Sequence, residues 1–166
     1  LDVNSQRAST VWLVHGVDIV IVNDPIDGRK WHALADAMIT DKVDTPLVMR
    51  YADCTPLMFY DPVNSAIGLA HAGWLGTVAG MASRTVKAMT MAYGSKPENI
   101  EVGIGPCIGP RRYQVGEEVV EAVQLYFGTL NGLITRDTHD GTAYFDLGIA
   151  NTIDLERVGV TKIELS

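Results

Sequence analysis

Long apolar runs are absent: no stretch of the 166 residues reaches the ~18 consecutive apolar positions that a membrane-spanning helix requires. No membrane partner is expected. Basic charge is also in deficit, with 13 Lys and Arg against 20 Asp and Glu and a formal net charge of −7. Tracking a phosphate backbone needs a basic face that this balance does not supply, so nucleic acid is excluded as an expected partner. Cysteine occurs twice, as Cys54 and Cys107. That count is too low for a disulfide-stapled secreted domain and points to a reducing compartment, the cytoplasm. Internal repeats, low-complexity tracts and linker-like stretches are missing as well. The 47% hydrophobic content is enough for one sizeable core. Residues 1–166 are therefore expected to form a single domain, and the start at Leu1 rather than Met suggests that residues are missing ahead of it.

The elements that are present read as strands first and helices later. "STVWLVHG", "VDIVIVND", "TPLVMRYA", "PLMFYD" and "AIGLAHA" are β-branched or apolar runs bounded by turn residues, which predicts five strands between residues 9 and 72. From Gly76 the period changes. Val78, Met81, Ala82, Val86, Met89 and Tyr93 recur at helical spacing, with Thr77 as N-cap and Gly94 as stop. "IEVGIG" reads as a strand, "PCIGPRR" as a loop, and Glu117 to Phe127 as a helix ending at Gly128. "DTHDGTAY" looks like a polar turn, "DLGIANTIDLERVG" like a third helix and "TKIEL" like a last strand. The class is α+β with mixed topology.

Chemistry concentrates in "ADCTPLMFYDPVNSAIGLAHAGW", residues 52–74. A β-turn at Asp61-Pro62-Val63-Asn64 would pair residues whose numbers sum to 125, setting Cys54 opposite His71. Directly opposed side chains can share one metal ion or meet each other. A core hairpin also accommodates both residues, Cys54 as a small buried hydrophobe and His71 as a satisfied core histidine. Gly73 and Gly76 flank Trp74 where the strand hands over to the helix. A helix end at Gly76-Thr77 would offer free amides to an anion close to the thiol. An ordinary strand-to-helix turn needs the same glycines. Of the other three histidines, His139 lies in a polar turn, His32 in the unassigned "RKWHALAD", and His15 at the end of an apolar strand.

Taken in order, "LVHG" at 13–16, "ADC" at 52–54, "HAGW" at 71–74 and "GPCIGPRRYQVG" at 105–116 resemble the successive signatures of the laccase-domain family. Its members were first named multicopper polyphenol oxidoreductases and later recognised as purine nucleoside phosphorylases. The resemblance implies a zinc site made of His15, Cys54 and His71. It also implies phosphorolysis of adenosine, inosine and methylthioadenosine, with adenosine deamination beside it, so that a purine nucleoside and phosphate are the expected partners. The implied fold is a sandwich of mixed β-sheets with outer helices, similar to cysteine-dependent toxin deamidases. Two departures stand out. The family usually follows "HAGW" with Arg-Gly, where this chain has Leu75-Gly76, and relatives continue beyond "IELS".

Two imidazoles and a thiolate leave the fourth tetrahedral position open, as catalytic zinc requires. Asp53, beside Cys54, is a candidate proton shuttle, although neighbours on a strand point to opposite faces. Gly76, Thr77 and Arg112, with Arg111 next to it, are candidates for gripping phosphate. Copper is the alternative metal, with polyphenol oxidation as its chemistry. Four histidines, however, cannot build both a blue-copper centre and a trinuclear cluster. A metal-free hydrolase with Cys54 as nucleophile and His71 as base, and a non-enzymatic binding domain, complete the alternatives. Cys107 reads as packing, and the oligomeric state is not legible.

Overall fold

A computed structural model describes residues 4–25 and 30–166. Strands β1 (Ile19–Ile21), β2 (Ala37–Thr40), β3 (Thr55–Asp61), β4 (Ala66–Ala72) and β5 (Glu101–Ile104) belong to one six-stranded sheet. The smaller sheet holds β6 (Gln114–Val115), β7 (Ile134–Arg136) and β8 (Ala143–Phe145), and β9 (Lys162–Leu165) closes the larger one. The large sheet runs β1-β2-β4-β3-β5-β9, with parallel pairs at both ends and antiparallel pairs between them. The small sheet, β6-β8-β7, is antiparallel. With the four α-helices found among the described residues, the class is mixed α+β, as expected.

Period-two alternation decides which face of the large sheet is covered. In β3 the side chains of Thr55, Leu57, Phe59 and Asp61 are buried while Met58 and Tyr60 are exposed. The buried face receives α2 (Met81–Tyr93), whose Met81, Ala82, Val86 and Met89 pack with Leu57, Phe59, Ala70 and Ala72. Full burial of each of the larger of these side chains, Met, Val, Leu or Phe, contributes about 1.5–3 kcal/mol. A second cluster joins α3 (Glu117–Phe127) and the start of α4 (Leu147–Arg157) to β8 through Val119, Val123, Phe127, Phe145 and Leu147. Val11, Val22, Ala35 and Met38 form a third.

Several expectations need correction. The segments at 9–16 and 45–52 are irregular, held by the isolated bridges Ser9↔Leu47 and Trp12↔Leu34, and the run at 17–24 keeps only β1. β2, buried along its whole length, lies beyond the unassigned "RKWHALAD" and was not anticipated. Nor were β6 and β7, and β8 takes Ala143 and Tyr144 out of the expected polar turn.

The first helix is two helices. α1 (Trp74–Val78) starts after Gly73, not at Thr77, and ends before Gly80, whose φ is +76°. A side chain at Gly80 would collide with the Tyr126 hydroxyl and is strained at that φ in any case. That hydroxyl donates to the buried Asp154 carboxylate at 2.6 Å, and Asp154 also accepts from Ser83 N–H at 2.9 Å. One carboxylate thus ties α2, α3 and α4 together.

The hairpin register is also shifted. Thr55↔Ala72 through Asp61↔Ala66 sum to 127, so Pro56 rather than Cys54 faces His71. Asp61 causes the shift: its carboxylate accepts from Val63 N–H, Asn64 N–H and Asn64 Nδ2, with Ser65 at φ +52°. Residues 62–65 therefore form a four-residue connection. A displacement of two residues preserves facing, since the side-chain period is two.

Candidate metal centre

His71 sits near the end of β4, 4% exposed. Its ring Nδ1 lies 2.9 Å from Asp36 Oδ1, and its backbone N–H donates to the Asp36 carbonyl at 2.8 Å. Asp36 immediately precedes β2 and is wholly buried. The same carboxylate accepts from the backbone N–H groups of Val14 (3.2 Å), His15 (3.0 Å) and Gly16 (2.7 Å). This grip bends the chain at 15–16 and holds His15 at φ +60°, an uncommon conformation for a residue with a Cβ. The His15 ring is exposed and meets the His71 ring edge-on, centroids 5.0 Å apart at 82°.

Cys54 comes from a bend at 52–54 rather than from a strand, which begins at Thr55. Asp53 in that bend has φ +73°, and its carbonyl accepts from Ile108 N–H at 2.9 Å, tying the thiol's segment to the 106–112 loop. Strand alternation therefore does not govern Asp53, whose side chain is exposed. Gly73 supplies the remaining space: a Cβ there would stand 3.0 Å from Cys54 Sγ and 3.4 Å from His15 Cδ2.

One ligand atom from each of His15, Cys54 and His71 lies within 4.8 Å of the other two. Among the described residues no other such group of His, Cys, Asp and Glu forms. The donor set suits zinc or copper. Burial, followed by the charges of Asp53, Asp36 and Cys107, pushes the Cys54 thiol up from its ordinary 9.0. Burial likewise pulls His71 below 6.5 against the opposing pull of Asp36. Without a metal, Cys54 is a thiol at neutral pH, the reverse of what a free Cys-His hydrolase needs.

The remaining candidates are not members of this donor set. Gly76 and Thr77 are buried within α1, and the Thr77 hydroxyl accepts from Asn151 Nδ2 at 3.1 Å. The helix N-terminus expected at Gly76-Thr77 falls instead at Gly73-Trp74. Arg111 and Arg112 are exposed on the 106–112 loop, and Leu75 is 46% exposed. His139 is exposed and His32 half-buried, neither in the group, while Cys107 is half-buried and packs against the α3–β8 cluster. Asp36 had no signal in the sequence, being one of 20 acidic residues, 21 positions from His15 and 35 from His71.

Fold and site together define a mixed α+β protein with a pocket of two imidazoles and one thiol that could hold a metal ion. Across residues 1–166 the sequence matches the family described as multi-copper polyphenol oxidoreductase laccase, and the chain belongs to that family. It is 35% identical to the purine nucleoside phosphorylase YlmD of Geobacillus stearothermophilus, over 95% of this chain and 64% of that protein. Identity to a purine nucleoside phosphorylase of Deinococcus radiodurans is 37%, over 92% of this chain and 56% of that protein. To human LACC1, also named a purine nucleoside phosphorylase, it is 36%, over 88% and 32%.

The crystal structure of Bacillus licheniformis YfiH superposes with a TM-score of 0.91 at 29% identity, over 99% of this chain and 65% of that one. Geobacillus stearothermophilus YlmD gives 0.89 at 34%, over 97% and 63%. The chain thus spans less than two thirds of the length of these relatives.

Proposed function

We propose that the chain carries the metal site of a zinc-dependent purine nucleoside phosphorylase that acts on adenosine, inosine and methylthioadenosine in the cytoplasm. The observation that carries this reading is the convergence of His15, Cys54 and His71, with His15 facing solvent. The names of the relatives support the reaction, and the donor set supports the metal. When bound, a zinc ion with three protein ligands supplies Lewis acidity at its open position.

In phosphorolysis a phosphate oxygen forms a bond to C1′ of the sugar. The C1′–N9 bond breaks, its electron pair leaves with the purine, and the purine takes up a proton. The products are a free base and the sugar 1-phosphate, ribose 1-phosphate from adenosine or inosine and its 5-methylthio analogue from methylthioadenosine. His15, Cys54 and His71 would hold the ion, and the exposed Arg112 offers a cation to phosphate in place of the one that Leu75 does not supply. The exposed Asp53 carboxylate stands beside the thiol as a proton acceptor, the role adenosine deamination by water requires. Gly76 and Thr77 serve this reading from inside α1, by setting the course of the chain after the pocket.

Full-length, zinc-loaded protein incubated with inosine and phosphate is expected to release hypoxanthine and ribose 1-phosphate. Cys54→Ser should reduce that rate by more than the ~10- to 100-fold that loss of a ligand's outer partner costs, because a ligand itself is removed. Release that does not depend on phosphate, no release at all, or purified protein holding copper and no zinc would each overturn the reading.

A further inference from the structure

We propose that Asp36 is a positioning residue that sets both imidazoles of the pocket and matches its charge to a divalent ion. The carboxylate is wholly buried and accepts four N–H groups. Oδ1 takes His15 N–H at 3.0 Å and His71 Nδ1 at 2.9 Å, while Oδ2 takes Val14 N–H at 3.2 Å and Gly16 N–H at 2.7 Å. Its ion-pair partner among the described residues is His71, with no Lys or Arg in reach.

Two consequences follow for the ligands. A carboxylate only accepts, so the proton of the His71 ring resides on Nδ1, and the lone pair of Nε2 is left for an ion. Three consecutive backbone N–H groups can converge on one carboxylate only because His15 adopts φ +60°, which makes an anion-binding concavity and fixes where the His15 side chain departs. One side chain therefore orients both histidines, although they stand 56 positions apart by their numbers.

A third consequence concerns charge. A divalent ion, the Cys54 thiolate and the Asp36 carboxylate together are neutral, whereas copper(I) in the same place leaves one net negative charge beside the buried Asp36–His71 pair. Uncompensated charge is costly there. Asp36 thus favours zinc over copper(I), even though thiolate alone suits the softer ion.

The inference rests on the metal-binding half of the proposed function and not on phosphorolysis. Chelator competition on wild-type and Asp36→Asn protein reads zinc and copper(I) affinity separately, and nitrogen NMR of metal-free wild type reads the His71 tautomer. Asp36→Asn is expected to weaken zinc by about 10- to 100-fold, to weaken copper(I) less, and wild-type His71 is expected to carry its proton on Nδ1. Unchanged zinc affinity, equal losses for both ions, or a proton on Nε2 in wild type would overturn it. The tautomer reading stands even if Asp36→Asn does not fold. Protein that gives the expected results but does not cleave inosine would overturn the function and leave this inference intact.

Discussion

At Gly73 one methyl group would crowd two donors at once, because the added carbon would stand 3.0 Å from Cys54 Sγ and 3.4 Å from His15 Cδ2 and push them off their places. Gly73→Ala is expected to weaken zinc about tenfold or more while the far-ultraviolet circular dichroism stays that of wild type. Equal affinity in a chelator competition would show that Gly73 does not set the spacing of Cys54 and His15 about the ion. Protonation gives a second test at this scale. The Cys54 thiol is raised above its ordinary 9.0 and His71 lowered below 6.5, so between those values Cys54 must give up a proton to bind zinc and His71 need not. Affinity should rise about tenfold per pH unit over that window, and a flat profile would contradict it. For the metal-free fold the sign comes from His71. Its lowered value means that the unfolded chain takes up the proton first, so stability is present above about pH 6.5 and is lost as pH falls through the folded value. Urea midpoints at pH 7.5 and 5.5 read this difference directly.

The break between α1 and α2 carries the test at the scale of elements. Gly80→Ala combines a positive φ with a collision against the Tyr126 hydroxyl, whose bond to Asp154 anchors α2, α3 and α4. A loss of about 1–3 kcal/mol is expected, seen as a lower urea midpoint at unchanged slope. Periodicity alone ran across this break, because Val78, Met81 and Ala82 keep helical spacing on both sides of it. β3, β4, β5, α3, α4 and β9 were legible because each carries its own period and its own stop, such as Gly128 after α3 and the Asp146 cap of α4. β2 was not: four residues buried on both faces show no alternation, and "AMIT" has the look of any short apolar stretch. The β3–β4 register was misjudged by two residues. Asp61 caps the turn with its own side chain, and the closure it makes is four residues long.

At the scale of the whole molecule, three hydrophobic clusters form among the described residues, and each adjoins a segment that carries a donor. Leu13 belongs to one, Ala72 to another, and Ile108, bonded to the Cys54 bend, to the third. His15, Cys54 and His71 could be named from motif order, because each stands in a short signature. The carboxylate that organises them could not, since only the fold brings Asp36 to them. An ion held by these donors should stabilise the whole chain. Free zinc at ~1,000 times its dissociation constant adds about 4 kcal/mol, roughly 10 °C in a protein of this size. Calorimetry should show that gain in wild type and none in Cys54→Ser.

X-ray absorption at the zinc edge of the loaded, full-length protein addresses the three donors themselves. One sulfur at about 2.3 Å and two imidazole nitrogens at about 2.0–2.1 Å are expected, with the sulfur lost in Cys54→Ser. A shell with two sulfurs, which would bring in Cys107, or with none, would contradict the His15–Cys54–His71 centre.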